Sequence, residues 1–190
     1  MDAMQICGDL WMGLAVVWAV GMLRTKHTQV RAEMASRLVY GAMVVMACWL
    51  MFGGESVPAG WLRMRLYARA EWIDGMGVAV TAVGVVFAIW ARFYLGRNWS
   101  GAVTIKVGHE LIRGGPYRWV RHPIYTGLLL AMLGTGLVRG QVRGVLGFGF
   151  LLAGLWVKMG IEESFMRKTF GVQYEEYSRT TGALIPRLWN

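Results

Sequence analysis

Five stretches of this sequence, residues 6–23, 38–52, 72–91, 124–138 and 145–157, are almost free of charge, and they limit what the chain can fold into. A helix rises about 1.5 Å per residue, so crossing a hydrocarbon layer of roughly 30 Å takes about 20 residues. The first and third stretches meet that length. The other three are shorter and must draw on flanking Tyr and Trp, snorkelling Arg, little tilt or a locally thinned bilayer. With 56% apolar and only 16% charged residues, the chain is unlike a water-soluble domain. The expectation is an all-α integral membrane protein with about five transmembrane helices.

A formal net charge of +9 raises a nucleic-acid reading, in which Lys and Arg line a face that neutralises phosphates. The distribution argues against it, because the basic residues lie almost entirely between the apolar stretches. Five alternating helices put Arg24, Lys26, Arg31, Arg37, Arg92, Arg97, Lys106, Arg113, Arg118, Arg121, Lys158, Arg167, Lys168, Arg179 and Arg187 on one side. Arg63, Arg65, Arg69, Arg139 and Arg143 fall on the other. Fifteen charges against five place the C-terminus and the 92–123 connection in the cytoplasm and the N-terminus outside. No Lys or Arg precedes the first apolar stretch, and Asp2 and Asp9 stand where a leader would be basic, so a retained helix is expected there. Cys7 and Cys48 lie in or beside apolar segments and suggest packing, not a disulfide or a metal site.

No repeat or Pro/Ser-rich linker divides the chain, so residues 1–190 read as one membrane domain. Residues 1–91 hold three helices, and residues 92–190 carry nearly every polar cluster. The connection from Arg92 to His122 is about 30 residues long, too long for a simple turn. Gly96 and Gly114-Gly115-Pro116 interrupt helix within it, and residues 103–107 are too short to build a domain, so an ordered loop against the cytoplasmic face is expected. Only six residues, 139–144, separate the fourth and fifth stretches, which predicts a helical hairpin.

Two polar motifs flank that hairpin. Gly114-Gly115-Pro116-Tyr117-Arg118-Trp119-Val120-Arg121-His122-Pro123-Ile124-Tyr125 runs directly onto the fourth helix, with Pro123 suited to its first turn, where a missing N–H costs nothing. On composition alone this segment also suits a headgroup anchor. Lys158-Met159-Gly160-Ile161-Glu162-Glu163 follows the fifth apolar stretch, and taken alone it suits a solvated helix extension with a Lys158–Glu162 pair. The hairpin would bring Arg121 and His122 near Glu162 and Glu163 on one membrane face.

His109-Glu110-Leu111-Ile112-Arg113-Gly114-Gly115-Pro116-Tyr117 followed by Arg121-His122-Pro123-Ile124-Tyr125 resembles the signature of isoprenylcysteine carboxyl methyltransferases. Glu162-Glu163, Phe170-Gly171, Tyr174, Tyr177 and Ile185-Pro186 are similar to the same family's C-terminal pattern, so the likeness runs from about Leu95 to Pro186. It implies S-adenosyl-L-methionine as cofactor, held at the cytoplasmic face by His109, Leu111, Gly115, Tyr117, Arg121, His122, Pro123, Tyr125, Glu162 and Glu163. Residue chemistry agrees: Arg121 and His122 offer donors to a carboxylate, Glu163 suits an ammonium, and the tyrosines present rings to a cation. Lys158 is the candidate to position an acceptor carboxylate, and Glu162 to take a proton from an amine or thiol. Relatives favour Arg near the position of Lys158. No dinucleotide-type glycine fingerprint lies between a strand and a helix. The implied acceptor is a lipophilic small molecule or lipidated substrate entering from the bilayer, with membrane lipids as surroundings. Alternatives are a methyltransferase for phospholipid amines or small thiols, an NADPH-dependent membrane reductase, and a noncatalytic scaffold.

Overall fold

The computed structural model describes residues 2–22, 28–31, 33–96, 104–106 and 111–187. Six helices dominate it: α1 (Ala3–Met22), α2 (Met34–Phe52), α3 (Glu71–Leu95), α4 (Pro123–Arg139), α5 (Val142–Phe170) and α6 (Val172–Thr180). Four of them, α1, α2, α3 and α5, are long and apolar enough to cross a membrane. With 17 residues, α4 reaches about 26 Å, short of the roughly 30 Å hydrocarbon layer. The outward faces are apolar too: Val16, Val45, Val83 and Val86 are each more than half exposed. Apolar surface on that scale matches lipid, not water.

One small ladder departs from the all-α expectation. Strand β1 (Thr28–Arg31) pairs antiparallel with β2 (Thr104–Lys106), with an irregularity between Thr28 and Val30. Each strand is too short to stand alone, but together they satisfy backbone groups in the connections that follow α1 and α3.

A second departure concerns α5. Its apolar stretch ends at Val157, yet α5 runs through the Lys158–Glu163 segment and on to Phe170 for 29 residues, about 44 Å. Hydropathy marked a change of surroundings and not a change of backbone. Apart from Gly160, the residues up to Gly171 are compatible with helix, and the pairs Lys158–Glu162 and Glu163–Arg167 sit at i,i+4. Gly171 then stops the helix with φ 49°, a conformation that costs other residues more.

Small residues set how the helices approach. On α3, Gly77, Thr81, Gly84 and Ala88 alternate four- and three-residue steps, and Gly127, Ala131, Gly134 and Val138 do the same on α4. This is the 3.5-residue seam of two helices in prolonged contact. A Cβ on Gly127 would stand 2.7 Å from the Ala88 amide nitrogen, so the helices meet backbone to backbone, as packing in lipid favours. Thr81 and Thr135 hydroxyls lie 3.2 Å apart inside this seam. From α1, Trp11 Nε1 donates to Thr135 at 3.0 Å and Cys7 Sγ donates to Thr81 at 3.6 Å. Cys7 is therefore a buried donor, whereas Cys48, expected to pack, is exposed.

While α4 packs most extensively on α3, α5 packs on α2. Gly140 and Gln141 are all that separate α4 from α5. At this end Arg139 donates to the Met51 carbonyl at 2.5 Å and Arg143 to that of Gly54 at 2.9 Å. Arg63 reaches the carbonyls of Glu55 at 2.7 Å and Val57 at 2.6 Å. These arginines bind carbonyls at and beyond the end of α2 that lack helical donors.

Candidate active site

The opposite end of the helices gathers the polar motifs. Arg121 and His122 immediately precede α4, and the segment after α6 runs beside them in parallel, bridging Val120 and Gly182. The Arg121 amide donates to the Gly182 carbonyl at 2.8 Å and the His122 amide to that of Ala183 at 3.0 Å. One turn into α4, Thr126 Oγ1 donates to the Leu184 carbonyl at 2.8 Å. Backbone groups that a helix start leaves open are thus satisfied by the tail, which fixes the two side chains.

Those side chains meet α5. Arg121 Nε donates to Glu163 Oε1 at 2.9 Å, and its Nη1 reaches the carbonyls of Ser178, at 3.1 Å, and Thr181. His122 lies between two carboxylates, Nε2 3.3 Å from Glu163 Oε1 and Nδ1 3.6 Å from Glu162 Oε2. Tyr125 donates its hydroxyl to Glu162 Oε1 at 2.6 Å. Lys158 Nζ is 4.0 Å from the same oxygen, and Arg167 donates to Glu163 Oε2 at 2.9 Å. The side chains of Arg121, His122 and Glu163 are only 12%, 10% and 13% exposed. In such surroundings charged hydrogen bonds are stronger and unpaired charges costlier. Burial alone pushes the His122 imidazole down, but its contacts with Glu162 and Glu163 outweigh this and hold it above the ordinary histidine value. Tyr177, whose hydroxyl donates to the Tyr117 carbonyl at 2.6 Å, is pushed up to about 12, chiefly by burial, and stays a neutral donor.

The structure therefore brings together six of the residues singled out from sequence: Arg121, His122, Tyr125, Lys158, Glu162 and Glu163. Pro123 is the first residue of α4. Tyr117 is buried against α3 and α6, its hydroxyl 3.4 Å from the Ala91 carbonyl. Gly115 has φ 56°, and a Cβ there would stand 2.5 Å from Tyr94 Cε2, so its missing side chain makes room for a ring of α3. Leu111 is half-buried, and His109 lies outside the described residues. Sequence reasoning missed Arg167, although it stands four residues after Glu163, because helical pairing was read only as far as Lys158–Glu162. It also missed the carbonyls of Ser178, Thr181, Gly182, Ala183 and Leu184, since a backbone acceptor has no side-chain signature.

A family model described as phospholipid methyltransferase matches residues 73–173, which run from α3 through α5 and include every member of the cluster on those helices. The chain belongs to the phospholipid methyltransferase family. Its likeness to isoprenylcysteine carboxyl methyltransferases, read above from residues 95–186, also holds. Protein-S-isoprenylcysteine O-methyltransferase A of Arabidopsis thaliana is 28% identical over 118 residues, 60% of this chain and 60% of the relative. The cobalt-zinc-cadmium resistance protein CzcN of Cupriavidus metallidurans is 30% identical over 141 residues, 73% of this chain and 57% of the relative. This phospholipid methyltransferase family member thus spans about three fifths of the length of those relatives. Its fold resembles the eukaryotic intramembrane Ras methyltransferase ICMT with a TM-score of 0.53 at 23% identity, covering 83% of this chain and 54% of that one.

Proposed function

We propose that the protein is an S-adenosyl-L-methionine-dependent methyltransferase acting on a lipophilic or membrane-associated acceptor, with an isoprenylcysteine-type carboxylate as the leading case. The observation that carries this reading is the buried cluster of Arg121, His122, Glu162 and Glu163 at the end of apolar helices, within a family match. Its chemistry fits the cofactor, whose amino-acid end bears a carboxylate and an ammonium; Arg121 and Glu163 present the complementary charges 2.9 Å apart. Arg121 and His122 would hold the carboxylate and Glu163 the ammonium, with Leu111, Gly115, Tyr117, Pro123 and Tyr125 around the remainder. When bound, the cofactor supplies an electrophilic methyl group on a sulfonium.

The chain's own residues then orient the acceptor and exclude water. A carboxylate acceptor, with a reference pKa of about 4, is already ionised at neutral pH and needs a positioning cation more than a base. Lys158 directly follows the apolar run of α5, where such a group would arrive from the bilayer between α3, α4 and α5. For an amine or thiol acceptor, Glu162 would take the proton. The charge asymmetry supports a cytoplasmic location for this end and for the C-terminus.

Calorimetric titration of the detergent-purified protein with S-adenosylhomocysteine and, separately, NADPH tests the reading. Binding of the first and not the second is expected, with labelled methyl passing to detergent-dispersed prenyl thiol carboxylates or lipids. Binding of NADPH alone, or transfer only to water-soluble acceptors, would defeat it.

A further inference from the structure

In a continuing α-helix the Tyr117 carbonyl would accept from the Arg121 amide four residues on. The short 3-10 turn Gly115–Arg118 does not extend that far, and both groups find partners in the C-terminal segment instead. The Arg121 amide donates to the Gly182 carbonyl at 2.8 Å, and the Tyr117 carbonyl accepts the Tyr177 hydroxyl at 2.6 Å. Tyr177 is only 6% exposed, so loss of that hydroxyl would leave a buried carbonyl unsatisfied. Arg113 holds the same residue from another side. Its guanidinium carbon lies 5.8 Å from the Tyr177 ring centroid, and its Nη2 donates to the Gln173 carbonyl at 2.5 Å. Gln173 stands about one helical turn before Tyr177, so one arginine grips both ends of that turn of α6.

What Tyr177 anchors is the set of acceptors that orient Arg121. Its own carbonyl receives the Thr181 amide at 3.1 Å and the Thr181 hydroxyl at 2.6 Å. The carbonyls of Ser178 and Thr181 in turn receive Arg121 Nη1. A guanidinium is a rigid planar fork, so holding Nε on Glu163 and Nη1 on two carbonyls fixes the whole plane. With the Glu163 contact alone, the fork could turn about one bond. From this geometry we infer that Tyr177 is a positioning residue: by tying α6 to the Tyr117 carbonyl, its hydroxyl keeps the Arg121 fork aligned for the carboxylate of the bound cofactor. This rests on the methyltransferase reading and deepens it, because recognition of the cofactor's amino-acid end then depends on the segment after α5 as well as on the charged pair. Tyr177 also lies beyond the family match at residues 73–173.

The test uses Tyr177→Phe, which removes the hydroxyl and keeps the ring beside Arg113. Calorimetry on the detergent-purified protein compares S-adenosylhomocysteine with methylthioadenosine, which shares the adenosine and the thioether but lacks the amino-acid end. The variant is expected to bind the first about three- to tenfold more weakly, the range of one lost hydrogen bond, and the second as the parent does. Unchanged S-adenosylhomocysteine affinity, or equal losses for both ligands, overturns the inference. Thermal unfolding of Tyr177→Phe, Arg121→Gln and the double variant reads the coupling whatever the ligand is: non-additive shifts are expected, and additive shifts overturn it. Absence of S-adenosylhomocysteine binding by the parent protein would overturn the methyltransferase reading instead, leaving the unfolding cycle to decide the coupling.

Discussion

Replacing Glu163 by Gln changes one atom and removes one charge from the centre of the cluster. Glu163 Oε1 accepts from Arg121 Nε at 2.9 Å and lies 3.3 Å from His122 Nε2, while Oε2 accepts from Arg167 at 2.9 Å. An amide oxygen can keep the first pair, but the amide nitrogen then faces Arg167, donor against donor. Flipped, it faces Arg121 and His122. Charged hydrogen bonds contribute about 1.5–3 kcal/mol each and neutral ones about 0.5–1.5, so two weakened bonds lose about 2–3 kcal/mol. The Arg167 pair adds at most about 0.5 kcal/mol, since that arginine is 52% exposed. Unfolding of the detergent-solubilised Glu163→Gln protein should therefore show a loss of about 2–3.5 kcal/mol, overlapping only the lower part of the roughly 3–5 kcal/mol of stranding a buried partner outright. Calorimetry on the folded fraction should show S-adenosylhomocysteine affinity reduced about tenfold or more, some 1.4 kcal/mol. A variant within about 0.5 kcal/mol of the parent, an ordinary surface effect, and binding as tightly, would refute the coupled cluster and the role given to Glu163.

Two further perturbations probe the site and its support. The His122 value is raised above 6.5, so its contribution to stability is complete below the unfolded value and is lost as pH rises through the folded one. Unfolding measured upward from about pH 6.5 should show that decline in the parent protein, and His122→Gln should flatten it; identical profiles would count against the charged imidazole. Gly127→Ala sets a Cβ 2.7 Å from the Ala88 nitrogen and should cost about 1–3 kcal/mol and reduce activity, since α4 carries Tyr125 and directly follows Arg121 and His122. Gly149→Ala on α5 meets nothing within 4 Å and should be neutral or stabilising by up to about 1 kcal/mol; equal thermal shifts in the two variants would contradict the seam.

The sequence made the helices legible because a membrane rewards long apolar runs, and α1, α2 and α3 lie close to the stretches at residues 6–23, 38–52 and 72–91. It was less informative where hydropathy and helicity part company, as in α5 beyond Val157. The meeting of Arg121 and His122 with Glu162 and Glu163 was legible because the six residues 139–144 leave little freedom between α4 and α5. The tail carbonyls were not. Their part depends on the chain returning past Val120, which has no local pattern. The crowding of Tyr94 against Gly114 and Gly115 was not legible either, since a ring from α3 leaves no mark on the sequence of that connection.

The parallel pairing of the tail with the start of α4 has a consequence for biogenesis. The amides of Arg121 and His122, and the Arg121 guanidinium, all need acceptors between Ser178 and Ala183. During synthesis the apolar helices are translated before any of these acceptors exists. A nascent chain halted at Phe170 would hold both glutamates on a complete α5 and still lack the segment that sets Arg121 against them. The order of translation thus lets the apolar helices emerge before the contacts that fix Arg121 can close.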